Sequence, residues 1–213
     1  MCDPYLPLEA SLGLTRRCLE ILHQHGFGLA LLTKSATLLR DLDLFCAIRQ
    51  RSKCVVQMTL TTFDTGLCRR IEPNVSTTQE RLEALSRLKE AGVPTVVWLS
   101  PILPFINDTM DNLEHLLSAC VEVGVKGILC FGMGVTLRQG SRDYFYRQLD
   151  LLFPGLRARY QSAFGNSYIC NSPNNAALMR RFTDVCARRR ILCDPQEVFA
   201  YLRAFPEEQL RLF

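Results

Sequence analysis

Short apolar runs and amphipathic stretches alternate along the first 137 residues. The runs are of the kind found in buried parallel strands and lie at 27–33, 54–60, 94–100 and 126–132. Apolar residues three or four positions apart predict helices over 11–25, 37–50, 77–91 and 109–123. The strand starts are 27, 40 and 32 residues apart, which suits right-handed β/α crossovers in a parallel sheet or barrel.

After residue 137 the strand signal ends. Helical periodicity continues in four segments joined by turns rich in proline and asparagine, at 141–153, 156–163, 173–190 and 195–204. The sequence therefore predicts an α/β protein with two parts, a parallel sheet or barrel over 1–137 and a helical C-terminal extension over 138–213.

Composition limits the class of protein. Of the 213 residues 48% are hydrophobic, yet no apolar run reaches the roughly 20 residues of a membrane span. The first residues lack the basic and apolar regions of a secretory signal. We therefore expect a cytoplasmic protein without a membrane partner.

Ten cysteines are spread along the chain, and no two lie closer than seven positions apart. Zinc and redox sites use clips such as Cys-x-x-Cys, and none is present. Several cysteines lie in apolar runs, where a buried thiol is the ordinary role. A shared metal on Cys170, Cys186 and Cys193 is the less favoured alternative, because their spacing contains no clip.

Charge differs between the two predicted parts. Residues 1–137 hold 13 Lys/Arg and 14 Asp/Glu, whereas 138–213 hold 12 and 7, which gives −1 and +5. Arginines cluster at 180–181 and 188–190, where a solvated helix face and a phosphate-backbone contact both remain open. The excess is too small to indicate nucleic-acid binding by itself.

Polar residues gather where the predicted strands end, which is where working residues converge in parallel α/β folds. They are Asp3, Tyr5 and Glu9, then Thr33, Lys34 and Ser35, Thr59, Thr61, Thr62, Asp64 and Glu72, and finally Ser100, Pro101, Asn107 and Asp108. Ser35 has helix capping as its alternative role, and Lys34 a surface salt bridge. The three histidines fall within predicted helices, and no catalytic triad or glycine-rich phosphate loop can be drawn.

Several short motifs in order resemble one protein family. They are CDPYLPLE at 2–9, GLTRR at 13–17, LTKS at 32–35, IEP at 71–73, AGVP at 91–94, SPILP at 100–104, ND at 107–108, FPGL at 153–156, SYICNSPN at 167–174 and QLRLF at 209–213. Together they look like the radical S-adenosylmethionine (radical SAM) superfamily, in the branch related to spore photoproduct lyase, the DNA-repair photolyase-like proteins.

The resemblance implies a partial (β/α)6 barrel with S-adenosylmethionine lying across the carboxyl ends of the strands. It carries cofactor-binding roles onto Asp3 and Tyr5, which would follow the second barrel strand near the methionine end. Lys34 matches the basic residue after the third strand, suited to the methionyl carboxylate. Cys2 lies near the place of the lyase's hydrogen-donating cysteine, and a role as a mere small residue is equally open there.

Three further cofactor-binding residues come from the same resemblance. Thr59 stands where the family has a small hydroxyl residue near the carboxylate or the ribose. Glu72 belongs to the Glu-Pro turn after the fourth barrel strand. Pro101 lies in the apolar segment expected beside the adenine.

The sequence departs from the family at its cluster motif. Cys-x-x-x-Cys-x-x-Cys, whose three thiolates hold a [4Fe–4S] iron–sulfur cluster, occurs nowhere in the chain. The resemblance places it upstream of Met1, with the first β/α unit. We therefore expect the cluster only in a longer form, or on a separate chain, and expect this chain alone to be inactive.

Three functional hypotheses remain. The first is a radical SAM enzyme, lyase-like, or a fragment of one, with S-adenosylmethionine as cofactor and DNA or another nucleic acid as the expected substrate class. The second is a non-enzymatic barrel remnant that acts as a binding or regulatory module. The third is a cluster-free barrel enzyme that uses Lys34 as base or Schiff-base lysine.

Overall fold

A four-stranded parallel sheet forms the centre of the molecule in a computed structural model that describes residues 3–205. Its strands are neighbours in chain order: β1 (Leu29–Thr33), β2 (Cys54–Thr59), β3 (Thr95–Trp98) and β4 (Gly127–Leu129). The α/β class and all four predicted strands are confirmed. Cys2 and the closing QLRLF segment lie outside the described residues.

Helices connect the strands where the apolar periodicity predicts them. They are α1 (Glu9–Leu12), α2 (Leu14–Gln24), a 3₁₀ helix (Ala36–Asp41), α3 (Leu42–Arg51), α4 (Thr65–Ile71), α5 (Thr78–Glu90) and α6 (Met110–Val123). α4 is the element that the periodicity missed, because its seven residues TGLCRRI bury only Cys68. It fills the connection between β2 and α5.

The C-terminal part corrects one expectation. β5 (Gly134–Thr136) and β6 (Ile169–Asn171) form a small antiparallel pair. Along the chain, α7 (Ser141–Leu152) and α8 (Leu156–Phe164) lie between these two strands. β6 lies after residue 137, where no strand was expected, since three residues with one buried side chain give no periodic signal. Gly134 permits the pairing, because a Cβ there would lie 2.6 Å from the Cys170 carbonyl oxygen.

The two faces of the parallel sheet contact different elements. Side chains alternate along each strand. Val56, Val97 and Ile128 lie on the outer face, in the main core beneath the helices. Their neighbours Val55, Val96 and Leu129 form the opposite, inner face.

The last two helices, α9 (Asn175–Arg189) and α10 (Pro195–Arg203), pack on opposite faces of this sheet. Leu178, Phe182 and Cys186 of α9 are buried in the main core, and α9 packs against α6. Val198 of α10 is buried against the inner face. The division at residue 137 stays a prediction, and both of these late helices contribute to the sheet's packing.

The two edges of the parallel sheet differ. Leu192 forms a parallel bridge to Gly127, so the stretch before α10 pairs with the edge of β4 that faces away from β3. Among residues 3–205, β1 pairs with β2 alone. One edge of the sheet is therefore closed and the other is open.

Candidate functional site

An ion-pair chain crosses the carboxyl ends of β1 and β2. Lys34, directly after β1, donates from Nζ to Glu72 Oε1, and Arg81 Nη2 donates to Glu72 Oε2 at 2.7 Å. Lys34 is 31% exposed, whereas the Arg81 side chain is fully buried. One carboxylate thus joins a buried cation to a cation that reaches the surface.

Arg81 reaches this position because of how α5 begins. Thr77 and Glu80 form a capping box, in which the Thr77 side chain accepts from the Glu80 amide and Glu80 accepts from Thr77 N at 2.6 Å. The guanidinium of Arg81, the fourth residue of α5, then donates to the Thr59 carbonyl oxygen at 2.9 Å and to the Ser76 carbonyl oxygen at 2.8 Å. It therefore ties the end of β2 to Glu72.

The electrostatics of this group leave a surplus of positive charge. Burial alone would raise the pKa of Glu72, but Lys34 and Arg81 outweigh it and hold that pKa below its ordinary value. Glu72 is therefore ionised, and it faces two cations. The three side chains therefore carry one net positive unit before the neighbouring Asp3 carboxylate is counted, and Lys34 is the accessible cation among them.

Asp3 fixes the backbone beside Lys34. Its Oδ2 accepts from the Lys34 amide at 2.7 Å, and its Oδ1 accepts from the Thr33 hydroxyl at 2.6 Å and from Tyr5 N at 2.9 Å. The carboxylate thereby holds the N-terminal loop against the end of β1. Asp3 is next to the candidate site, with three donors already bound to it.

Tyr5 belongs to a neighbouring buried network. Its hydroxyl donates to Asp41 Oδ2 at 2.9 Å, while Arg40 bridges Asp41 and Glu9. Burial, reinforced by the Asp41 carboxylate, raises the pKa of Tyr5 above its ordinary value. The hydroxyl is thus engaged within the fold, and Glu9 caps α2 by accepting from the Leu14 and Thr15 amides.

Thr59 and Pro101 occupy the ends of the next two strands. Thr59, the last residue of β2, is buried and lies opposite Trp98 of β3. Pro101 follows β3 after a cis peptide bond and is half-buried. The same edge also carries a loop held by Asn107, which donates to the Thr61 carbonyl oxygen and the Thr62 hydroxyl.

An aromatic surface covers the adjoining inner face of the sheet. Trp98 Nε1 donates to Gln57 Oε1 at 2.8 Å, so the indole is fixed across β2 and β3. Its ring centre lies 5.8 Å from that of Phe131, which is 60% exposed just beyond β4, and 6.3 Å from that of Phe199 on α10. This surface gives a planar group a place to stack beside the ion-pair chain.

The structure brings together Lys34, Glu72 and Thr59, with Asp3 bound to the backbone of the same turn. It holds Tyr5 in the Asp41 network and Pro101 two strands away from Lys34. Sequence reasoning missed Arg81, although it stands inside the clearest predicted helix. The available signal was its place on the apolar side, one residue before Leu82 and three before Ala84, which are both buried.

The structure also shows the contacts of Ser35, of the arginine clusters and of the C-terminal cysteines. Ser35 caps the 3₁₀ helix by accepting from Thr37 N. Arg181 pairs with Glu114 and Asp184, and Arg188 pairs with Asp184, so these members of the arginine clusters lie on a solvated helix face. Within residues 3–205 no three His, Cys, Asp or Glu side chains lie together as a group that could hold a metal ion, and Cys170, Cys186 and Cys193 form no such group there.

Comparison with known sequences finds relatives longer than this chain. No protein-family model matches it. An uncharacterised protein of Mycobacterium bovis is 29% identical over 192 residues, which are 90% of this chain and 56% of that protein. A Methanocaldococcus jannaschii protein is 36% identical over 106 residues, 50% of this chain and 39% of that protein. The chain thus spans little more than half the length of the first curated relatives it matches.

One matched sequence has a radical SAM name. The radical SAM Nα-GlyT isomerase of Pseudomonas phage M6 is 23% identical over 122 residues, which are 57% of this chain and 25% of that protein.

Comparison with solved structures finds chains of similar fold. Spore photoproduct lyase, solved with a dinucleoside spore photoproduct, matches with a TM-score of 0.55 at 14% identity over 85% of this chain and 54% of its own. A pyruvate-formate lyase-activating enzyme domain from Bacteroides vulgatus gives 0.54 at 11% identity over 88% and 92%. The methyltransferase TsrM from Kitasatospora setae gives 0.52 at 14% over 89% and 42%. The resemblance to radical SAM proteins is confirmed at the level of the fold.

A search for membrane-spanning segments is negative for the described part of the chain. No helix within residues 3–205 combines the length and the apolar character needed to cross a bilayer.

Proposed function

We propose that this chain supplies the S-adenosylmethionine-binding part of a radical SAM enzyme. The observation that carries the proposal is the Lys34–Glu72–Arg81 chain at the carboxyl ends of β1 and β2, which holds the partly exposed Lys34 ammonium there. The fold shared with spore photoproduct lyase and TsrM supports it. A substrate of nucleic-acid type is part of the same proposal, since the spore photoproduct lyase structure contains a dinucleoside spore photoproduct.

The donor set fits the amino-acid end of S-adenosylmethionine. That end carries a carboxylate, which needs a cation, and Lys34 offers three rotatable donors on a partly exposed side chain. Glu72 orients that ammonium, since its two oxygens already accept from Lys34 and Arg81. Thr59 and Pro101 then line the next two strand ends, where the nucleoside end would extend.

The iron–sulfur cluster does not fit the residues of this chain. The motif of three closely spaced cysteines is missing from the sequence, and residues 3–205 hold no converging set of three ligands. We therefore propose that the cluster is held by residues outside this chain, either in a longer form of the protein or in a separate chain.

The open side of β1 is a suitable place for that missing unit. β1 is unpaired there within residues 3–205, whereas Leu192 covers the far edge of the sheet. Large apolar side chains preceding β1 are also exposed: Leu6, Leu8, Leu12, Leu14, Ile21 and Phe27. A further β/α unit added at β1 would extend the partial barrel and cover part of this surface.

In such a complex the residues of this chain bind and orient; none is required to cleave a bond. Glu72 holds the Lys34 ammonium at the strand ends, and Arg81 fixes Glu72 to the main chain of β2. Asp3 holds the Lys34 backbone. S-adenosylmethionine, when bound, supplies the 5′-deoxyadenosyl group for radical chemistry.

The proposal is tested by binding of S-adenosylmethionine to the purified protein, measured by equilibrium dialysis with radiolabelled ligand. Lys34→Met should weaken binding about tenfold, because it removes a charged hydrogen bond to the methionyl carboxylate. Lys89→Met is the matched control, since Lys89 lies at the far end of α5, where it donates to the Glu122 carbonyl oxygen.

A second ligand isolates the carboxylate contact. 5′-Methylthioadenosine lacks the amino-acid end, so Lys34→Met should leave its affinity unchanged. Equal loss for both ligands, or unaltered S-adenosylmethionine affinity in Lys34→Met, would contradict the assignment of Lys34.

A further inference from the structure

A shallow groove of about 500 Å³ lies where α4 meets the turn between α7 and α8. It is lined by two arginines and by apolar side chains: Arg70, Phe105, Leu152, Phe153, Pro154, Leu156 and Arg159, with Gly155 at the turn. Among the residues that the structure describes, none of those lining the groove is acidic. The groove is distinct from the Lys34–Glu72–Arg81 chain, which shares none of these residues.

Each arginine of the groove is stacked on an aromatic ring. The Arg70 guanidinium carbon lies 4.4 Å from the centre of the Phe153 ring, and that of Arg159 lies 3.9 Å from the centre of the Phe105 ring. Such stacking fixes the plane of a guanidinium and leaves its N–H edge free to bind. Both guanidiniums are therefore oriented before any ligand arrives.

Neither guanidinium is neutralised by the described part of the protein. Within residues 3–205 no carboxylate lies within ion-pair distance of Arg70 or Arg159, and neither side chain donates a hydrogen bond there. The nearby Arg157 contrasts with them, because it is paired with Asp150 at 2.8 Å. The groove is thus a positively charged surface whose two arginines lie on half-buried aromatic rings.

The groove adjoins the edge of the sheet that carries the candidate site. Arg70 lies in the last turn of α4, two residues before Glu72, and Phe105 follows β3 on the same edge. Phe105 has a φ of 64°, in the left-handed region that non-glycine residues seldom adopt. Tyr160 holds this loop by donating to the Pro104 carbonyl oxygen at 2.7 Å, so the unusual backbone presents the ring beneath Arg159.

We infer that this groove binds the sugar–phosphate backbone of a single-stranded nucleic acid and leads it to the candidate site. Guanidinium forks match phosphate oxygens, and the outer faces of the two stacked guanidiniums together with the exposed Pro154 give adjacent bases a flat surface on which to stack. An acidic peptide would use the charges but not the planar surface. The inference rests on the proposed function and adds a substrate-binding surface to it.

The test is fluorescence anisotropy with a labelled 20-nucleotide single strand of mixed sequence and the purified protein, without S-adenosylmethionine. Arg70→Gln and Arg159→Gln should each weaken binding about tenfold, as expected for loss of a charged hydrogen bond. The salt dependence, as the slope of log K against log[salt], should fall by about 0.7 for each arginine–phosphate pair that is removed. Arg87→Gln, an equal loss of charge on the exposed side of α5, should change neither quantity.

Lys variants separate stacking from charge. Arg70→Lys and Arg159→Lys keep the charge but lose the planar fork, so we expect intermediate affinity. Wild-type affinity in the Gln variants, the same loss in Arg87→Gln, or equally tight binding of a polyglutamate peptide would overturn the inference. Because the assay omits S-adenosylmethionine, failure of cofactor binding leaves this result interpretable on its own.

Discussion

Arg81 is the residue that decides the geometry of the candidate site. Its fully buried guanidinium has a carboxylate and two carbonyl oxygens as partners, so its charge is compensated within the protein. A buried charge is tolerated only with such partners. Positioning of Glu72, and through it of Lys34, therefore depends on a side chain that never reaches the surface.

Replacing Arg81 by Met should destabilise the protein strongly. Glu72 would then be left largely buried with one cation, and two carbonyl oxygens would lose their donor. Breaking a buried pair costs about 3–5 kcal/mol. Urea unfolding followed by circular dichroism measures the loss, and Arg87→Met on the same helix should stay within about 0.5 kcal/mol of the wild type. A change of the same small size in both variants would contradict this role.

The depressed pKa of Glu72 predicts a pH dependence of stability. The folded-state pKa lies below the ordinary value of 4.5, so the stabilisation is fully present above about 4.5 and is lost as pH falls through the folded-state pKa. The difference in unfolding free energy between wild type and Glu72→Gln should therefore shrink between pH 6 and pH 3. A constant difference over that range would show that ionisation of Glu72 does not contribute.

At this scale the sequence indicated Lys34, Thr59 and Glu72 as members of one site, because strand ends converge in a parallel sheet. It did not indicate Arg81, since an arginine in an amphipathic helix is normally solvated. Nor did it indicate that Tyr5 bonds to Asp41, 36 positions away. Such partnerships depend on tertiary packing, which residue spacing does not contain.

At the scale of elements, α5 connects sequence signals to site geometry most directly. Its start is specified locally by the Thr77–Glu80 capping box, and that start sets the rotation at which Arg81 enters the core. Short elements behave differently. α4 and β6 have too few buried positions to produce a periodic pattern, so their formation follows from packing.

Removal of the Thr77 cap tests how much this helix start stabilises α5. Thr77→Ala should lower the free energy of unfolding by about 1 kcal/mol, because the Glu80 amide loses its acceptor at the helix start. Chemical denaturation gives the value. Thr183→Ala is the comparison, since this exposed hydroxyl bonds back to carbonyl oxygens within α9 and its removal should cost little. Equal losses in the two variants would contradict the capping role.

At the scale of the whole molecule, the sheet is covered from both ends of the chain. Helices from the first half cover its outer face together with α9, and α10 covers part of the inner face. The sequence predicted these late helices and their lengths. It could not predict that they return to the sheet, since an amphipathic pattern identifies a buried face but not the surface that buries it.

Truncation tests how far the first part depends on the second. A chain ending at residue 137 would lose α9 and α10, and so expose the apolar surfaces that Leu178, Phe182 and Val198 cover. We expect it to unfold without the cooperative transition of the 213-residue chain, as measured by circular dichroism during heating. A sharp transition in the truncated chain would instead show that 1–137 folds alone.

The unequal edges of the parallel sheet limit how copies of this chain can associate through their backbones. Sheets can add edge to edge without limit only if both edge strands of every copy are free to pair, and the Leu192 bridge occupies one of these edges. If two copies paired through their β1 strands, the remaining edge of each copy would be the β4 edge that Leu192 occupies. Growth would stop at a closed two-fold pair, so the bridge acts against the endless, fibre-like addition that an exposed strand otherwise invites.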